Sequence, residues 1–127
     1  MSSFPEQYYK FVGALSKPGE EIVQSLTADK AHVLHMLLGL TGEVGELVDA
    51  IKKHIIYGKV LDIAHVVEEL GDIEFYLQGL RNAYEISRIS VVLQNERKLQ
   101  QRYAAGRYTN QQAVQRADKS AVDSAGT

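Results

Sequence analysis

Between Asp29 and Tyr103 the chain contains no proline; its only two, Pro5 and Pro18, lie before residue 20. A long stretch rich in helix formers, without the residue that breaks helix interiors, commits the middle of the chain to helices. The apolar residues then say how those helices meet. Ile63, Leu70, Leu77 and Tyr84 recur every seven positions, with Val66, Ile73 and Leu80 between them. Upstream, Leu37, Val44 and Ile51 repeat the scheme with Leu40 and Leu47. With the first set of each named a and the second d, two such seams joined by a turn at residues 58–61 predict an antiparallel helix hairpin.

Capping residues set the expected boundaries. A first helix is expected over residues 5–15, ended by the turn at Lys17, Pro18 and Gly19. A second runs over 29–57, with Thr27 or Asp29 as N-cap and Gly58 just past its end. Asp62 caps a third that reaches about Tyr84, and Ser87 a fourth that reaches about Ala104, before Gly106. The expected fold class is all-α: a helical bundle built on a long antiparallel hairpin and completed by oligomerisation. Residues 1–106 form its single domain. The polar tail 107–127 has a short helix capped by Thr109 and then disorder. A hairpin has two faces to cover, and 127 residues leave little chain to cover both. The apolar stripe of Leu34, Val48 and Ile55 beside the seam suits a second copy.

Composition narrows the function. The formal net charge is −2, so no basic footprint points to nucleic acid. There is no cysteine, which removes disulfides, thiolate metal sites and cysteine nucleophiles together. No apolar run has the length of a signal peptide core or a membrane span, so no membrane partner and a cytoplasmic address are expected.

The acidic residues carry the chemistry. Glu43 and Glu46 occupy positions g and c of the second helix, and Glu69 and Asp72 the same positions of the third. Spacing of i,i+3 puts both acids of each pair on one helix face. Folding the chain about residue 60, at ~1.5 Å rise per residue, brings all four within roughly 10 Å. Crowded carboxylates repel, and a divalent cation relieves them. An all-oxygen donor set favours Mg²⁺, with Mn²⁺ as substitute, over zinc, and Mg²⁺ shares its coordination with phosphates. Along the same stripe Gly39, Ala50 and Gly79 leave room, Lys53 offers a cation and Tyr76 an aromatic face. Gly42 and Gly45 each cost about 1 kcal/mol against alanine inside a helix, which points to close approach by a helix or ligand.

Plainer readings stand beside these. An acidic i,i+3 pair is commonly a solvated helix face. Lys53 has Asp49 four residues away to pair with, and Tyr76 fits a core. A histidine metal site would draw on His32 and His35, or on His65 four residues before Glu69. Neither the Glu-x-x-His pairs of di-iron bundles nor an H-E-x-x-H motif occurs.

The segments LLGLTGEVGELVDAIKK and VVEELGDIEFYLQGLR resemble the MazG-like nucleoside triphosphate pyrophosphohydrolases of the all-α NTP pyrophosphatase superfamily. That family's signature is E-E-x-x-E, a spacer, then E-x-x-D. Glu43 and Glu46 match the last two acids of the first element, Glu69 and Asp72 the second, with twenty-two residues between Glu46 and Glu69. Gly42 stands where the leading acid would be, as in the dCTP-pyrophosphatase-like GEVGEL form, so no role of that acid carries over. The resemblance covers roughly residues 30–103, and extends to Asn95, Lys98, Arg102 and Tyr103 in the segment after the metal helices.

The resemblance implies hydrolysis of a nucleoside triphosphate between its α- and β-phosphates, giving a monophosphate and pyrophosphate. It implies Mg²⁺ held by Glu43, Glu46, Glu69 and Asp72, with Glu43 or Glu46 as general base. Lys53, Lys98 and Arg102 would stabilise phosphate charge, and Tyr76 and Asn95 would contact sugar or base. It also implies a homodimer or tetramer. Two alternatives remain: a dimeric dUTPase-like hydrolase of the same superfamily, and a non-catalytic helical partner or regulatory protein.

Overall fold

Six helices follow one another in the computed structural model, which describes Met1 and residues 3–119. They are α1 (Phe4–Leu15), α2 (Gly19–Ser25), α3 (Ala28–Ile55), α4 (Ile63–Ala83), α5 (Arg88–Arg102) and α6 (Asn110–Gln115), with no strand among the described residues. The chain is all-α, as its pattern requires. No helix among the described residues is long and apolar enough to cross a membrane.

Side-chain caps start four of the helices. Thr27 accepts from the Lys30 N–H, Asp62 from His65, Ser87 from Ser90 and Thr109 from Gln112, each satisfying an otherwise orphaned donor. α2 was not expected. Pro18 precedes it without a capping side chain, and Glu20 and Glu21 in its first turn complement the helix dipole instead. α3 stops two residues short of expectation, with Ile56 as C-cap and Gly58 at φ 66° in the turn. Two bonds hold that turn: the Lys59 N–H donates to the Lys53 carbonyl (3.2 Å), and His54 Nδ1 to the Lys59 carbonyl (2.8 Å).

The packing that defines the molecule is α3 against α4. Its seam is rotated from the expected a/d phase to d and g, with glycines at c. Val33, Met36, Leu40, Leu47 and Ala50 of α3 face Val66, Ile73, Tyr76 and Leu80 of α4, all buried or half-buried. Several a residues turn outward instead: Leu37 is 46% exposed, Val44 44% and Leu70 48%, while Ile51 and Leu77 stay half-buried. Two interlocks explain the shift. The Tyr76 ring fills the space a Cβ on Gly39 would take, and the Met36 sulfur fills the space above Gly79. A large side chain seated on a bare backbone fixes rotation and level together, which branched residues repeating every seven positions do not. Both pairs centre between Tyr57 and Gly58, so the chain folds back earlier than a midpoint at residue 60.

Outside the hairpin the helices lie loosely. No residue of α1, α2, α5 or α6 is fully buried. The polar segment after Arg107 contains the expected short helix, then returns to α5 through Asp118, which accepts from Arg102 at 2.8 and 3.1 Å. The disorder expected at the very end concerns residues 120–127, outside the described residues.

Candidate metal centre

Glu43 sits at a g position of the seam and is therefore half-buried between the helices. Glu69 occupies the equivalent position of α4 and is only 5% exposed. Asp72, one turn on, is exposed at the cluster's rim. Each of the three offers an oxygen within 4.8 Å of the others. The revised fold-back puts Glu43, rather than Glu46, level with Asp72. Glu46 lies next to Glu43 on its solvent side; it is exposed and outside the group of three.

The electrostatics show the strain of this crowding. Burial, then the Glu46 carboxyl, then contact with Glu69 and the charge of Asp72 push the Glu43 carboxyl from 4.5 up to about 7. Glu43 Oε2 and Glu69 Oε2 are buried and accept no hydrogen bond. Orphaned carboxylate oxygens in a protein interior are costly unless a cation or proton reaches them. Three hard oxygen donors converging from two helices, two of them with unpartnered oxygens, fit a divalent ion of the Mg²⁺ or Mn²⁺ kind.

Other expected site residues are placed differently. The Tyr76 ring is committed to Gly39 and stands edge-on to Phe75, with centroids 5.2 Å apart. Lys53 pairs with Asp49 at 2.8 Å, and that pairing holds the Asp49 carboxyl below its ordinary value and raises Lys53. Arg102 is tied to Asp118, itself 5% exposed. Asn95 lines a cavity of about 560 Å³ on α5, together with Leu99 and the paired rings of Tyr103 and Tyr108. Lys98 is exposed on α5. Gly42 and Gly45 have no atom within 4 Å of where a Cβ would stand, so no other part of the described chain approaches them. Sequence reasoning missed the bond of His65 Nε2 to Glu69 Oε1, 2.8 Å long, although its i,i+4 spacing was visible. It also missed the Arg102–Asp118 pair, for which a separation of sixteen positions leaves no local signal.

An all-helical chain with a carboxylate cluster shared across an antiparallel hairpin defines a class of helical proteins with a candidate metal centre. Within that class, the model of the MazG nucleotide pyrophosphohydrolase domain matches residues 32–105, and the chain belongs to that family. The matched span covers α3 from His32 onward, α4 and α5, so both halves of the acidic motif fall inside it. No curated protein and no solved structure matches the chain. Membership supports nucleotide pyrophosphohydrolase activity for this protein.

Proposed function

We propose that the protein hydrolyses nucleoside or deoxynucleoside triphosphates between the α- and β-phosphates, releasing a monophosphate and pyrophosphate, with Mg²⁺ as its natural ion and Mn²⁺ as a substitute. The observation that carries this reading is the convergence of Glu43, Glu69 and Asp72 from the two motif-bearing helices to within 4.8 Å. Together with the neighbouring Glu46 they would hold the ion. When bound, it would neutralise the triphosphate and make an attacking water more acidic.

The chain's own groups supply the rest. Glu46 is the motif carboxylate outside the tight cluster, which favours it over Glu43 as the base that takes up the water proton. Of the cations proposed for phosphates, Lys98 is exposed and has no acidic partner among the described residues, whereas Lys53 and Arg102 would first have to leave Asp49 and Asp118. Asn95, with the Tyr103 and Tyr108 rings, offers a hydrogen-bonding edge beside stacking faces, which suits a base or sugar. The packed position of Tyr76 supports an indirect role for its ring, keeping α3 and α4 in register.

Assembly belongs to the same reading. Folded monomers of 14.1 kDa expose about 6,700 Å², and this chain alone exposes 10476 Å². Among the described residues Met36 is the one buried large apolar side chain, and even it is 6% exposed. A homodimer or tetramer, in the cytoplasm where nucleotides are found, would cover that surface and bring α5 of one copy toward the hairpin of another.

The deciding experiment is release of pyrophosphate and monophosphate from a panel of NTPs and dNTPs with Mg²⁺, Mn²⁺ or EDTA. Both products are expected, only with metal. Turnover of dUDP as fast as dUTP would replace this reading by the dUTPase-like one. No product from any nucleotide, with the protein folded, would reject catalysis on these substrates.

A further inference from the structure

The hydrogen bond from His65 to Glu69 has a consequence for the carboxylate cluster. His65 stands in the first turn of α4, where its backbone N–H is held by the Asp62 cap at 3.0 Å. One turn later its Nε2 meets Glu69 Oε1 at 2.8 Å. Glu69 is an ionisable group buried at the seam, and among the described residues His65 is the one nitrogen donor that meets it. Its second oxygen, Oε2, is buried and accepts nothing. A carboxylate can only accept, so Nε2 carries the hydrogen.

The terminal torsion of a glutamate is broad and nearly two-fold, so packing alone sets its carboxylate plane poorly. A donor fixed on one oxygen sets that plane and leaves the other oxygen for a cation. Hydrogen bonds from a second layer of residues do this for ligating carboxylates in general. The convergence of donor atoms leaves the histidine out as a ligand: neither ring nitrogen of His65 belongs to the group formed by Glu43, Glu69 and Asp72, and its Nε2 is engaged with Glu69.

We propose that His65 is a positioning residue, which orients the Glu69 carboxylate for divalent-cation binding through its Nε2–H and does not itself touch the ion. This inference rests on the metal reading of the cluster and adds to it a requirement for a hydrogen-bond donor at position 65.

The test is direct Mn²⁺ titration of the full chain, followed by the electron paramagnetic resonance signal of free Mn²⁺, on wild type, His65→Ala and His65→Gln. Position 65 is partly exposed and helical, so alanine is accommodated. The glutamine amide reaches about as far as Nε2 and restores a donor. His65→Ala is expected to bind Mn²⁺ about tenfold or more weakly, and His65→Gln to recover most of that loss. Thermal unfolding in EDTA separates a packing role, which would lower the melting temperature of both variants and leave Mn²⁺ affinity unmoved. Wild-type affinity in His65→Ala, or equal weakness in His65→Gln, overturns the inference while the metal site stands. Absence of Mn²⁺ binding in the wild type overturns the metal site and this inference with it.

Discussion

Glu43 concentrates the conflict between folding and function in a single side chain. Its carboxyl is pushed up to about 7 because the seam buries it beside Glu46, Glu69 and Asp72. A carboxyl raised in the folded state stabilises the fold fully below its unfolded value of 4.5, and that contribution is lost as pH rises through about 7. The metal-free protein should therefore melt at progressively lower temperature between pH 4.5 and 7. Glu43→Gln, neutral throughout, should lack this part of the decline and, in EDTA at pH 8, melt above the wild type. With Mg²⁺ present it should have lost turnover. Melting curves in EDTA across this range check the claim, and parallel pH profiles for the two proteins would contradict it. The convergence of Glu43, Glu69 and Asp72 was readable from i,i+3 spacing on each helix together with the fold-back of the hairpin, whereas Glu46, expected with them, lies outside the group of three. Which of them would be buried was not readable, because that depends on a seam phase set by glycine contacts.

At the scale of elements, the helices and their caps were legible and their register was not. Thr27, Asp62, Ser87 and Thr109 each cap a helix because a short polar side chain satisfies a free N–H locally, a fact written in four residues. Register instead depends on which large side chain meets which glycine across the hairpin. The two interlocks differ in stiffness, and this gives a test. A Cβ on Gly39 meets the Tyr76 ring, which is rigid, whereas one on Gly79 meets the end of the flexible Met36 side chain. Overpacking costs about 1–3 kcal/mol, against about 1 kcal/mol gained by replacing a helical glycine with alanine. Gly39→Ala should be destabilised by about 1–2 kcal/mol and Gly79→Ala should be close to neutral. Urea unfolding in EDTA reads both, and equal midpoints would show that Tyr76 does not set the register.

The whole molecule is defined by what it leaves uncovered. The 10476 Å² exposed exceeds the expectation for this mass by about 3,700 Å², enough for one subunit's share, roughly 1,000–2,500 Å², of an obligate interface. The exposed surface is also patterned. Leu34, Val48 and Ile55 form one outward stripe of α3, at 47, 59 and 68% exposure, beside the a residues that the rotated seam turned away from α4. A chain that keeps such a stripe in water is expected to bury it against another copy. Sedimentation at micromolar concentration should then give a dimer or tetramer. The variant carrying both Leu34→Glu and Val48→Glu should shift toward monomer, because its new charges would have to be desolvated on assembly. The hairpin itself should persist in that variant by circular dichroism, since neither residue lies in the α3–α4 seam. A monomeric wild type would reject assembly and leave the open surface to a partner of another kind. An oligomeric variant with unchanged stoichiometry would place the interface elsewhere, with the aromatic residues of α1, where Phe4, Tyr9 and Leu15 are at least 70% exposed, as the next surface to probe.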